Sequence, residues 1–158
     1  MKRSRKDPRE HIRNAFYKKL SAVVPIFCVD VVAEDAQQKR FIIVHRRNEP
    51  ARGKWWIPGG RVLKDEPVRR AAVRKLKEET GVRGTFVRVI GFYEFFARKG
   101  IFKGIRVHTP VAVCLVRVAH AGHMRLDRQS DAGKWVTQPV GDMSPELRRI
   151  IRARHRRW

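Results

Sequence analysis

The stretch GRVLKDEPVRRAAVRKLKEETGV, residues 60–82, is the part of this chain whose reading decides its fold. Pro58, Gly59 and Gly60 lead into it as a tight loop, and Glu66-Pro67 then opens a helix of about thirteen residues. Val68, Ala71, Ala72 and Leu76 recur at helical spacing and give that helix one apolar face, while Gly81 after Thr80 suits its C-terminal cap. The polar face is more specific. Glu78 and Glu79 are adjacent near the helix end, Arg74 stands one turn before Glu78, and the glycine loop brings backbone carbonyls and amides towards the same point. Paired carboxylates beside a loop of oxygen donors suit a hard divalent cation that bridges protein and diphosphate. The same residues are also compatible with plain helix pairs, Glu78 with Arg74 and Glu79 with Lys75.

Taken with its spacing, the stretch resembles the Nudix box, G-x5-E-x7-R-E-U-x-E-E-x-G-U with U aliphatic. Gly60, Glu66, Arg74, Leu76, Glu78, Glu79, Gly81 and Val82 fall on its defined positions, and Lys75 replaces the first glutamate of the Arg-Glu pair. The resemblance narrows between about residues 25 and 137 to the GDP-mannose mannosyl hydrolase branch. The approach Arg46-Arg47-Asn48-Glu49-Pro50-Ala51-Arg52-Gly53-Lys54-Trp55 and the entry Gly59-Gly60-Arg61-Val62 are similar to that branch.

What the resemblance implies is a magnesium site, with manganese as a substitute, formed by Glu79, Gln129, the Gly59 carbonyl and Glu78. Arg46, Arg61 and Arg74 would grip the diphosphate and offset the charge of the leaving group, and Asp30 and His108 would contact the substrate. Arg46, Arg61, Arg74 and Glu78 are the expected catalytic set. The branch also carries a D-x-Q-H-D loop whose histidine is the general base, and here the loop reads Asp127-Arg128-Gln129-Ser130-Asp131. Ser130 takes up no proton near neutral pH, so both usual bases, this histidine and the glutamate at position 75, are missing. Glu78, His45, His108 and metal-bound water remain as alternatives. Lys75 adds an ammonium beside Glu79 that competes with a cation.

The remaining sequence sets the architecture. Runs at 23–33 and 40–45 read as an antiparallel hairpin, further strands are expected at 85–96, 106–118 and 134–136, and the order strands, helix, strands, helix predicts a mixed α/β (α+β) sheet between helices, the Nudix fold. The 158 residues suit one domain. The expected division is a basic helical extension at 1–21, the Nudix domain at 22–141 and a basic helix at 142–158.

Charge concentrates at the ends. The chain has 37 Lys and Arg against 15 Asp and Glu, a net +22. Residues 1–19 hold eight basic side chains and two acidic ones, and the last twelve residues hold six arginines and no acid. Asp7-Pro8 and Ser144-Pro145 are start signals for helices over 7–20 and 144–157, with Ile12, Phe16 and Leu20 or Leu147, Ile150 and Ile151 docking inward. Trimming residues 1–6 and 152–158 is expected to leave the core intact. So large a positive charge points to a polyanion, and the alternative function is a catalytically decayed Nudix scaffold binding RNA, for example on the ribosome. Otherwise the expected partner is a nucleoside diphosphate-linked small molecule, with a homodimer by likeness to the branch. Cys28 and Cys114 match no metal or redox spacing and read as buried free thiols of a reducing, cytoplasmic compartment. No run spans a membrane, and Pro25 interrupts the one stretch that resembles a signal peptide.

Overall fold

A computed structural model describes residues 12–119 and 122–156. Ten elements follow in order: α1 (Asn14–Val23), β1 (Cys28–Asp35), β2 (Phe41–Arg46), β3 (Trp55–Trp56), β4 (Gly59–Arg61), α2 (Val68–Thr80), β5 (Thr85–Ala97), β6 (Val107–Val118), β7 (Ser130–Val136) and α3 (Pro145–Arg152). They form one mixed seven-stranded sheet of order β3-β2-β1-β6-β5, with β4 paired to β1 and β7 to β2.

β1 runs parallel to β6 along its whole length, from Cys28 opposite Val111 to Asp35 opposite Val118. Its neighbours on the other side divide the edge between them. β4 pairs antiparallel with its first residues, Asp30 opposite Gly59, and β2 meets it only where Glu34 faces Phe41. The expected hairpin therefore exists at its base alone, because β2 turns away to pair with β7 over six positions. That pairing also extends β7 back to Ser130, where Asp131 and Gly133 hid the strand from its apolar pattern.

Two cores lie on the two faces of the sheet, and the two-residue period of β1 assigns its side chains between them. Val29, Val31 and Ala33 pack with Ala71, Ala72 and Leu76 of α2. Val32 packs on the other side with Ile43, Ile90 and Leu115, under Leu147 and Ile151 of α3. Burial of each valine, leucine or isoleucine among them stabilises by roughly 1.5–3 kcal/mol. The segment read as a C-terminal extension thus supplies Met143, Leu147 and Ile151 to the core.

α3 begins as its start signal predicts, the Ser144 side chain accepting from the Leu147 amide with Pro145 in the first turn. It stops at Arg152, short of the expected 157, and Arg154 is buried: its Nε donates to Glu34 at 2.7 Å and its remaining donors reach the Ile151 and Lys39 carbonyls. Cutting the chain at 152 would therefore strip a buried carboxylate of its partner, and the expectation that such a cut spares the core is wrong.

The Asp7-Pro8 start signal lies outside the described residues. α1 is half-buried at Tyr17, Leu20 and Ser21, while Phe16, expected to dock inward, is exposed; the Tyr17 ring meets Phe102 and the Arg61 guanidinium of β4. Cys114 is buried and Cys28 half-buried, both as free thiols, and burial pushes each up to about 12. Among the described residues no helix is long and apolar enough to cross a membrane.

Candidate active site

The loop before α2 is held by one arginine. Glu66 does not cap the helix, whose N-cap is Pro67. Instead its carboxylate takes two hydrogen bonds from Arg74, both 2.7 Å, and one from the Leu63 amide at 3.0 Å. Arg74 also donates to the Arg61 carbonyl at 3.0 Å and to Glu78 at 3.2 Å. A planar fork suits this bidentate bracing, and the carboxylates of Glu66 and Glu78 hold the guanidinium well above its ordinary range. With its donors committed in this way, Arg74 braces the loop and is not turned towards a diphosphate.

A cavity of about 310 Å³ opens between β1, β4, the start of β6 and the inner side of α1. Of the residues singled out in the sequence, Asp30, Arg46, Gly59, Arg61, His108 and Gln129 line it; Arg74, Glu78 and Glu79 do not. Lys75 lines it too. Arg46 is braced from Nε to the Pro50 carbonyl at 2.9 Å, and the Arg61 guanidinium lies over the Tyr17 ring, 5.2 Å from its centroid.

Asp30 sits at the inner end of the cavity. Period-two alternation turns it to the α3 side of β1, where it is 7% exposed. One oxygen accepts from the Tyr93 hydroxyl, 2.5 Å, and from Trp56 Nε1, 3.1 Å. Burial raises this carboxyl to about 6, against the opposing pull of those two donors. Tyr93, Trp56 and Tyr17 are site residues that no motif in the sequence marks. Tyr93 and Trp56 look like core aromatics in the sequence, and only the packing of β5 and β3 onto β1 brings their polar atoms to Asp30.

The three histidine and glutamate alternatives for a base separate. His45 points away, its Nδ1 2.7 Å from Asp131. Glu78 is engaged by Arg74 and by Lys75, each at 3.2 Å. His108 remains on the cavity wall, its Nε2 2.9 Å from Glu94 and its ring stacked on Phe96. Ser130 is buried.

The donors expected for magnesium are arranged otherwise. Glu79, 3% exposed, has one oxygen 3.1 Å from Lys75 Nζ and the other 3.3 Å from the Gly59 amide. Burial raises its carboxyl, with Lys75 opposing; burial lowers the Lys75 ammonium, and the two carboxylates outweigh that and raise it. Gln129 is exposed, its Nε2 3.4 Å from Asp127. Among the described residues no three His, Cys, Asp or Glu side chains are grouped to hold a metal. The residues as they stand do not fit a resident divalent ion, because a side-chain ammonium fills the place beside Glu79.

The NUDIX domain family model matches residues 25–154, which is most of the chain. This protein belongs to the Nudix family. It is 29% identical over 146 residues to the low-salt glycan biosynthesis protein Agl8 of Haloferax volcanii, covering 92% of each chain. A shorter likeness, 35% over 69 residues, joins it to the ADP-ribose pyrophosphatase of Methanocaldococcus jannaschii, covering 44% of this chain and 40% of that one. Among solved structures, the NUDIX domain of Shewanella oneidensis NrtR complexed with ADP ribose has a TM-score of 0.64 at 19% identity, covering 90% of this chain and 99% of that one. The E. coli dihydroneopterin triphosphate pyrophosphohydrolase has a TM-score of 0.66 at 21% identity, covering 84% and 97%. These structures share the fold.

Proposed function

We propose that the chain hydrolyses a nucleoside diphosphate-linked substrate, a nucleotide sugar of the GDP-mannose kind. The observation that carries this is the convergence on one cavity of three cations, Arg46, Arg61 and Lys75, with the buried carboxylate of Asp30. Cations there attract a diphosphate and offset the negative charge that builds on it as it leaves. Asp30 presents an acceptor for hydroxyl or amide donors of the substrate, between the apolar walls of Trp56 and Phe95.

His108 is the group proposed to take the proton of the attacking water, with Glu94 holding its Nε2–H so that Nδ1 accepts. Arg74 acts through Glu66 by fixing the loop that carries Arg61. No step is routed through magnesium or manganese. The names of the relatives support the substrate class: one is a glycan biosynthesis protein, another an ADP-ribose pyrophosphatase, and one similar domain is complexed with ADP ribose.

Incubation with GDP-mannose, other nucleotide sugars, ADP-ribose and nucleoside triphosphates, with product detection, tests the reading. Turnover of a diphosphate-linked sugar is expected. Label from heavy-oxygen water in the sugar means C–O cleavage, and label in the phosphate means P–O cleavage. Turnover confined to triphosphates, or none at all, would overturn the proposal.

A further inference from the structure

We propose that Lys75 is the resident cation of this site, doing for the diphosphate through a side-chain ammonium what a bound divalent ion would otherwise do. The inference rests on reading the cavity as a diphosphate site. Three observations converge on it. Lys75 Nζ lies 3.2 Å from Glu78 and 3.1 Å from Glu79, between the two carboxylates that the box places side by side. The side chain reaches this point because Gly60 makes room: a Cβ there would lie 2.6 Å from Lys75 Cε, and Gly60 itself has a φ of +152° that other residues rarely adopt. Lys75 also lines the cavity beside Arg46 and Arg61.

An ammonium has three N–H donors. Two face Glu78 and Glu79, and the third has no acceptor among the described residues, so it is available to a phosphate oxygen in the cavity. A free divalent ion has to displace this charge to reach Glu79, and the ammonium is tethered, which gives it a standing advantage over any ion in solution. The carboxylates in turn keep Lys75 charged and fixed in direction, as a compact point charge suited to a single phosphate oxygen.

The experiment uses the whole chain and two readouts other than turnover. Binding of GDP is measured by calorimetry in excess EDTA and in millimolar magnesium, and binding of Mn2+ alone is measured by its EPR signal, for the wild type and for Lys75→Met. The wild type is expected to bind GDP equally in both buffers and to take up no stoichiometric Mn2+ at micromolar concentration. In Lys75→Met, GDP affinity in EDTA should fall by about tenfold or more, and Mn2+ binding should appear as the carboxylates are freed. Micromolar Mn2+ binding by the wild type, or loss of its GDP binding in EDTA, would overturn the proposal without recourse to any variant; so would undiminished GDP affinity of Lys75→Met in EDTA. If GDP binds under no condition, the diphosphate reading itself fails, while the Mn2+ titrations still decide whether Lys75 keeps an ion out.

Discussion

Asp30 and His108 show how much of the chemistry depends on single side chains whose type was visible and whose setting was not. As a residue in an apolar run, Asp30 is an oddity; in the fold, its burial raises it to about 6. Between about pH 4 and pH 6 the folded chain therefore holds a proton that the unfolded chain has released, so stability falls as pH rises through that window. Asp30→Asn removes this loss. Urea midpoints at several pH values should show the variant gaining on the wild type by up to about 3 kcal/mol from pH 4 to pH 7. An unchanging difference would mean that Asp30 titrates alike in both states. For His108→Gln, turnover should fall by roughly 10²–10⁴ with KM little changed, if the imidazole takes the proton of water. A change confined to KM would make it a binding residue.

The elements at the two ends, alike in charge, behave differently. α3 is part of the core, and its continuation places Arg154 against Glu34, both nearly inaccessible. Arg154→Met leaves the buried Glu34 carboxylate with only the half-exposed His155, whose Nε2 is 3.1 Å away, so chemical denaturation should show a loss of about 3–5 kcal/mol, most of it recovered when Glu34→Gln is added. α1 buries no residue. Removal of residues 1–24 should change stability by no more than about 1 kcal/mol, yet weaken GDP binding several-fold, because Tyr17 and Ser21 form part of the cavity wall. Equal binding by the shortened chain would show that the wall is incidental. α2 was legible almost residue for residue, since the helical period, the Gly81 cap and the spacing of the carboxylates are local properties. β7 was not, because its first residues become strand only by pairing with β2. The same holds for the bracing role of Arg74, whose partner Glu66 lies eight residues away and meets it through the loop's path.

At the scale of the whole molecule the outstanding property is the net charge of +22, far more than one diphosphate requires. Among the arginines of the C-terminal segment, Arg149, Arg152 and Arg156 are exposed, whereas Arg154 is spent inside the protein. If the surface binds RNA, affinity for a short single strand should fall steeply with salt. Trimming residues 1–6 removes four basic side chains and lowers the charge to +18, which should flatten the log–log slope by up to about 3. Identical slopes would place the contacts elsewhere or show a merely solvated charge.

The sequence by itself determined the box helix with its carboxylates, because these follow from residue type at fixed short spacing, and the resemblance that the box carries pointed to the family and to Asp30, Arg46, Arg61 and His108, which line the cavity. The tertiary structure alone decided which charges meet across elements. The i,i+4 pairs Arg74–Glu78 and Lys75–Glu79 were legible in the helical spacing, whereas Arg74 on Glu66, Arg154 on Glu34 and Tyr93 on Asp30 are set by burial and by the direction of side chains. Spacing along the chain carries no record of either once the partners lie on different elements, and even within α2 it was the room left by Gly60 that turned the Lys75 ammonium into the site.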